Sequence, residues 1–327
     1  MPLTNFPHGI SSFGVPVLGS IGGIPFTGNY WFVDPASGAD GNSGNSPSSA
    51  LQTLDRAHTL ATDGNNDVVV LIGDGTTTAT ARQSSTLTWS KNATHLVGVA
   101  APSMYAQRAR ISTATGATAN LAPLMTVSGN GCMFANFSFF QGVGEASTDE
   151  KLIDITGSRN YFYNVQFGGM GSANGAARAG SYVISLSGGE NLFEHCAIGL
   201  ETQARSAANA SVKLSGSSAQ RNEFRDCEFQ MYPTASSPLF LDASTSGVLN
   251  GSTMQFKRCA FRALMNATSS TQPSVTATVH AAVNGTIYFD NCSTVAAKWA
   301  AATTEIKVTG PASNGFSGGV FANAADS

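Results

Sequence analysis

One hexapeptide pattern returns six times between Gly131 and Val295, and no other feature restricts the possible folds as severely. The copies start at Phe134, Phe162, Phe193, Phe224, Phe256 and Phe289, at intervals of 28, 31, 31, 32 and 33 residues. Each runs large apolar, variable, mostly polar corner, apolar, variable, apolar, as in Phe134-Ala-Asn136-Phe137-Ser-Phe139 and Phe224-Arg-Asp226-Cys227-Glu-Phe229. A fixed period of this length marks a solenoid. Side chains alternate across a strand, so two short strands meeting at the corner point their apolar residues inward together. A third strand ends seven residues before each of the first three phenylalanines, at Val127, Ile155 and Leu186. Val212–Leu214, Leu239–Leu241 and Val275–Val279 repeat it ahead of longer turns. Each coil therefore reads as about three strands joined by Gly, Ser, Asn and Asp turns. A single coil cannot bury its inner face; stacking does.

The corner column holds Asn136, Asn164 and Asn291, with His195, Asp226 and Arg258 in the middle coils. It resembles the asparagine ladder of the right-handed parallel β-helices found in pectate-lyase-like enzymes and many bacteriophage fibre and spike proteins. The expected fold is thus all-β, a single-stranded right-handed parallel β-helix of about eight to ten coils, on the order of 40–50 Å long at the strand spacing. Trp31-Phe-Val-Asp-Pro35, the turn-rich run 38–47 and an amphipathic stretch carrying Leu51, Leu54 and Ala57 or His58 resemble the start of such proteins, where a short helix plugs the first coil. Ser48 and Ser49 are its candidate N-caps. The chain divides into an apolar arm (1–28), an N-terminal cap (29–66), coils (67–309) and a closing segment (310–327).

Cys196, Cys227, Cys259 and Cys292 fill one slot in consecutive copies and are expected as a column of small buried groups. Cys-x₂-Cys and His-x₃₋₅-His spacings are absent, and the loop carboxylates Asp34 and Asp40 lack the alternation of a calcium loop, so no metal is expected. A net charge of −3 and a pI near 5.9 argue against nucleic acid as a partner. No apolar run is long enough to span a membrane.

The arm interleaves Phe6, Ile10, Phe13, Val15 and Val17 with Gly and Pro. Breakers at that density prevent a long helix, and apolar groups at that density need cover. Either the arm folds over the end of the β-helix or it anchors the chain to a partner. For acid–base chemistry, Asp154, Glu190, Glu194, Asp226, Glu228, Asp242 and Asp290 are available. Asp226 with Glu228 comes nearest to a pair, beside Arg225 and Arg258, but Asp226 also fits as a corner residue. No nucleophile elbow, phosphate loop or dinucleotide fingerprint is present, so no catalytic residue and no cofactor are assigned.

The whole chain resembles a bacteriophage virion protein built on a β-helix, and Asn5–Val17 resembles the opening of such proteins. The resemblance implies a non-enzymatic structural component made in the host cytoplasm, a capsid decoration or head-fibre protein. Its partners would be other virion proteins, foremost the major capsid protein, and a homotrimer is the implied assembly. The alternative is a tail-associated polysaccharide lyase or glycosidase acting on a host surface glycan.

Overall fold

The computed structural model describes residues 11–12, 15–16, 27–143, 149–265, 269–301 and 305–309. Strand, corner, strand, loop, strand repeats along the chain and winds into three parallel sheets of ten, eight and seven strands. One coil runs through Tyr161–Tyr163 in the first sheet, Gln166–Gly168 in the second and Tyr182–Leu186 in the third. The fold is a right-handed parallel β-helix, as the repeat demands. The first sheet has ten rungs but the third only seven, so about seven turns are complete rather than eight to ten. The missing third-sheet strands fall at the two ends, where the repeat is least regular.

The leading phenylalanines stack face to face inside the coil. Consecutive ring centroids from Phe134 to Phe289 are 4.7, 4.7, 4.3, 5.0 and 4.9 Å apart, with interplanar angles of 12° or less. The strand repeat sets this spacing, and a shorter or branched residue would open a void in a close-packed interior. Beside the rings, the Cys196, Cys227, Cys259 and Cys292 thiols each donate to the carbonyl of the phenylalanine one coil back, at 3.3–3.4 Å. All four are unbridged, and burial pushes the Cys227 and Cys259 thiols well up. They are packing groups.

A second, buried asparagine ladder runs beside the corner column. Asn160, Asn191 and Asn222, two residues before successive phenylalanines, are at most 1% exposed. The Asn160 backbone N–H donates to Asn191 Oδ1, and that of Asn191 donates to Asn222 Oδ1, both at 2.9 Å. Their side-chain amides donate to the carbonyls of Gly129, Gly157 and Gly188 in turn. Those glycines are obligatory: a Cβ on Gly188 would stand 1.9 Å from the Gly157 oxygen. The corner residues Asn136, Asn164, His195, Asp226, Arg258 and Asn291 are related differently, since all have φ between 49° and 58°. That left-handed region favours Asn, Asp and His among residues with a side chain. The corner asparagines are therefore selected chiefly by backbone conformation, with one side-chain rung, Asn164 Nδ2 to Asn136 Oδ1 at 3.0 Å.

At the N-terminal end the helix is shorter than its apolar spacing implies, Leu54–Leu60, and its N-cap is Thr53 rather than Ser48 or Ser49. Asp40 fixes this start by accepting from the Gln52 and Thr53 backbone N–H groups and the Thr53 hydroxyl. Pro47–Ser49 forms a separate 3₁₀ turn, and Leu51 instead bridges to Val33. Asp34 accepts from the Ala36 and Ser37 N–H groups, which is turn chemistry. Leu54, Ala57 and His58 face the first coil, where the His58 ring lies 4.7 Å from that of Trp89. Within the arm, Val15 lies in a two-residue strand, Val15–Pro16, paired antiparallel with Ser11–Ser12. Phe6, Ile10, Phe13 and Val17 lie outside the described residues, as does the closing segment 310–327. Among the described residues, no helix is long and apolar enough to cross a membrane.

One buried acid makes the fold pH-dependent. Glu150 is 1% exposed and accepts from the Gly171 and Ser172 N–H groups and the Ser172 hydroxyl. Burial outweighs those bonds and pushes its carboxyl up to about 7, from an ordinary 4.5. Between these values the folded chain holds a proton that the unfolded chain has released. The stabilisation is therefore complete below about pH 4.5 and lost as pH rises through about 7. Glu150→Gln, which mimics the protonated acid, should gain stability relative to the parent across that window, by on the order of 2–3 kcal/mol, and keep the gain above it. Denaturant unfolding of both proteins at closely spaced pH values checks this, and a difference that stays flat would refute it.

Candidate active site

Alternation along first-sheet strands sends the two neighbours of each phenylalanine outward. In register, Tyr163, Glu194, Arg225 and Lys257 form one outer column, and Tyr161, Leu192, Glu223 and Gln255 form its neighbour. The next residue along the chain is the left-handed corner, which places His195 beside Glu194 and Asp226 one coil on. One ligand atom from each of Glu194, His195 and Asp226 lies within 4.8 Å of the others.

Each member is held by named neighbours. The Tyr161 hydroxyl donates to Glu194 Oε2 at 2.6 Å, and Arg225 Nη1 lies 3.6 Å from Glu194 Oε1. Arg258 grips Asp226 with two parallel bonds of 2.7 and 2.6 Å, and that guanidinium holds the carboxyl below its usual range. The exposed His195 ring meets the Tyr163 ring edge-on at 5.8 Å. Arg225 and Lys257 both pair with Glu223 Oε1, at 2.8 and 3.1 Å. The result is a ledge of two tyrosine rings, an imidazole close to two carboxylates, and three cationic side chains. Glu194, His195 and Asp226 have the donor types for a divalent cation, but Arg258 takes both Asp226 oxygens and Tyr161 takes one of Glu194. Each carboxylate already faces an arginine, Asp226 paired with Arg258 and Glu194 near Arg225, and that positive charge disfavours a resident metal.

The structure separates the pair read from sequence. Asp226 sits at the corner, whereas Glu228 lies on the outer face of the second sheet, 3.1 Å from Arg262. The other carboxylates serve local structure. Glu190 pairs with Arg159 and Arg221, each at 2.7 Å. Asp154 accepts from the Tyr182 hydroxyl, Asp242 from the Ser244 N–H, and Asp290 from the Thr309 hydroxyl. His58 and His95 are buried within the first coils, and burial pushes both down to about 4. Tyr161 and Tyr163 escaped notice in the sequence. Their signal is the 31-residue step that puts Tyr163 directly under Glu194.

No protein family matches the sequence, and no curated protein matches it. Solved structures match the fold. Pectin methylesterase from Aspergillus niger aligns over 86% of this chain and 83% of its own, with a TM-score of 0.55 at 12% identity. Pectin methylesterase from carrot aligns over 87% and 89%, with 0.51 at 11%. Pectate lyase Pel9A aligns over 81% and 69%, with 0.50 at 12%. These likenesses show the fold. They also overturn the expectation of a non-enzymatic chain, because the proteins sharing this architecture are named as enzymes. The physical reason for the misreading is that a repeat describes the inward residues, whereas chemistry on a solenoid uses the outward ones.

Proposed function

We propose that this chain is a carbohydrate-active β-helix that cleaves a uronic-acid-containing polysaccharide by β-elimination at the first-sheet corner. The reading is carried by the convergence of Glu194, His195 and Asp226 beside Tyr161 and Tyr163. The tyrosine rings offer apolar faces to sugar rings. His195, with a ring nitrogen within 4.8 Å of both carboxylates, takes the proton from the carbon next to the uronate carboxylate. The freed electron pair forms the new carbon–carbon double bond as the glycosidic carbon–oxygen bond breaks, and the departing sugar oxygen takes a proton from water. Arg225 offsets the charge that builds on the uronate carboxylate. Elimination is favoured over glycoside hydrolysis because hydrolysis needs a carboxyl held protonated, whereas Arg258 keeps Asp226 ionised. The names of the structural neighbours support a pectin-like substrate.

Incubating the chain with a panel of uronic-acid polysaccharides and one neutral glucan, and following the ultraviolet absorbance of the new double bond, tests this. A rise with a uronate polymer and none with the glucan is expected. Silence across the panel would sink the proposal. Display of this activity on a virion, as a trimer held to the major capsid protein through residues 1–28, would bring the ledge to a host surface glycan. That placement rests on the apolar composition of the arm and is tested by probing purified particles for the chain.

A further inference from the structure

The outer face of the second sheet carries a separate concentration of positive charge. Arg82 and Arg110 project from the adjacent strands Thr80–Gln83 and Arg110–Thr113, offset by two residues in register. Arg108 lies two residues before the second strand. Arg82 and Arg108 are exposed, and Arg110 is half-buried. Among the described residues no carboxylate forms an ion pair with any of the three. Burial, reinforced by repulsion from Arg108 and Arg82, depresses the Arg110 guanidinium. Arg110 Nε is buried without a hydrogen-bond partner, and so is the hydroxyl of Thr113 on the same strand. The Arg110 guanidinium stands 5.9 Å from the ring centroid of Phe140, a phenylalanine left 38% exposed.

Like charges gathered without counter-charge cost free energy, and so does an unpaired buried donor. Several other arginines of the chain are matched, among them Arg258 with Asp226, Arg262 with Glu228, and Arg159 with Glu190. We infer that Arg82, Arg108 and Arg110, with Phe140, form a binding subsite for an acidic sugar residue. The arginines would take its carboxylate or sulfate oxygens in charge-assisted hydrogen bonds. Phe140 would take the apolar face of its ring. The inference goes beyond the elimination reading, since this subsite needs nothing from His195.

Isothermal titration at low salt tests it with three oligosaccharides of equal length: a uronate oligomer, a sulfated oligomer and a neutral one. The parent protein should bind at least one acidic oligomer and not the neutral one, and whichever binds distinguishes carboxylate from sulfate recognition. Arg82→Gln/Arg108→Gln changes only exposed side chains and should weaken that binding at least tenfold. Phe140→Ala should weaken it severalfold, and His195→Gln should leave it within twofold. The inference is overturned if the parent binds neither acidic oligomer, if the neutral one binds equally well, or if the double arginine variant binds like the parent. Loss of binding in His195→Gln with no loss in the arginine variant would assign the ligand to the corner and equally overturn it.

Discussion

Replacing Asn191 with leucine is expected to destabilise the β-helix by about 3–5 kcal/mol, although the two side chains share the same count and branching of heavy atoms. The amide performs three jobs at once. Its oxygen accepts from the Asn160 N–H, and its nitrogen donates to the Gly157 carbonyl and to Asn222 Oδ1. Leucine leaves the Asn160 N–H and the Gly157 carbonyl without those partners, both on buried residues. Each orphaned group costs about 1–3 kcal/mol. Leucine must also fit against glycines chosen for backbone contact. Urea unfolding followed by circular dichroism measures the loss, and a midpoint equal to the parent's would show that the ladder is dispensable. Because coils contact mainly their neighbours, the damage should concentrate between Gly129 and Asn222, where hydrogen exchange should quicken before the ends respond.

Replacing His195 with glutamine is expected to lower turnover of a susceptible uronate polymer by 10²–10⁴-fold, the usual contribution of a positioned proton acceptor. The loss should appear in kcat while KM changes little, because the sugar-facing surfaces of Tyr161 and Tyr163 are untouched. Glutamine keeps a polar group at the corner but cannot accept a proton near neutrality. Glu194→Gln acts through the imidazole and should cost less, with an altered pH profile of kcat. An alternative in which the ledge only binds sugar makes the opposite forecast, with affinity falling and no double bond formed by either protein. Full turnover in His195→Gln would remove the imidazole from the chemistry.

The sequence disclosed the solenoid because its signal is a period, and the period belongs to inward phenylalanines that can be found by counting. Seven complete turns instead of eight to ten follow from end rungs that join the first sheet without a third-sheet strand. The buried ladder lies outside a pattern counted forward from each phenylalanine, because Asn160, Asn191 and Asn222 stand two residues behind it. Their recurrence before Phe162, Phe193 and Phe224 was visible all along. The helix cap was missed because Asp40, twelve or more residues away, determines where the helix begins. The site was the least legible part. Asp226 and Glu228 look paired because they are close in the chain, yet the bend between them points them to different faces. Glu194 and Asp226 look unrelated because a whole coil separates them, yet stacking brings their oxygens together.

The left-handed corner has an implication for how such a protein can change. Every occupant of that column already lives with an unusual backbone geometry imposed by the bend, so exchanging one tolerated polar residue for another leaves the architecture nearly indifferent. Asparagine, histidine and aspartate become interchangeable stations along a rail, and a reactive constellation could migrate by whole coils during descent without redesigning the interior.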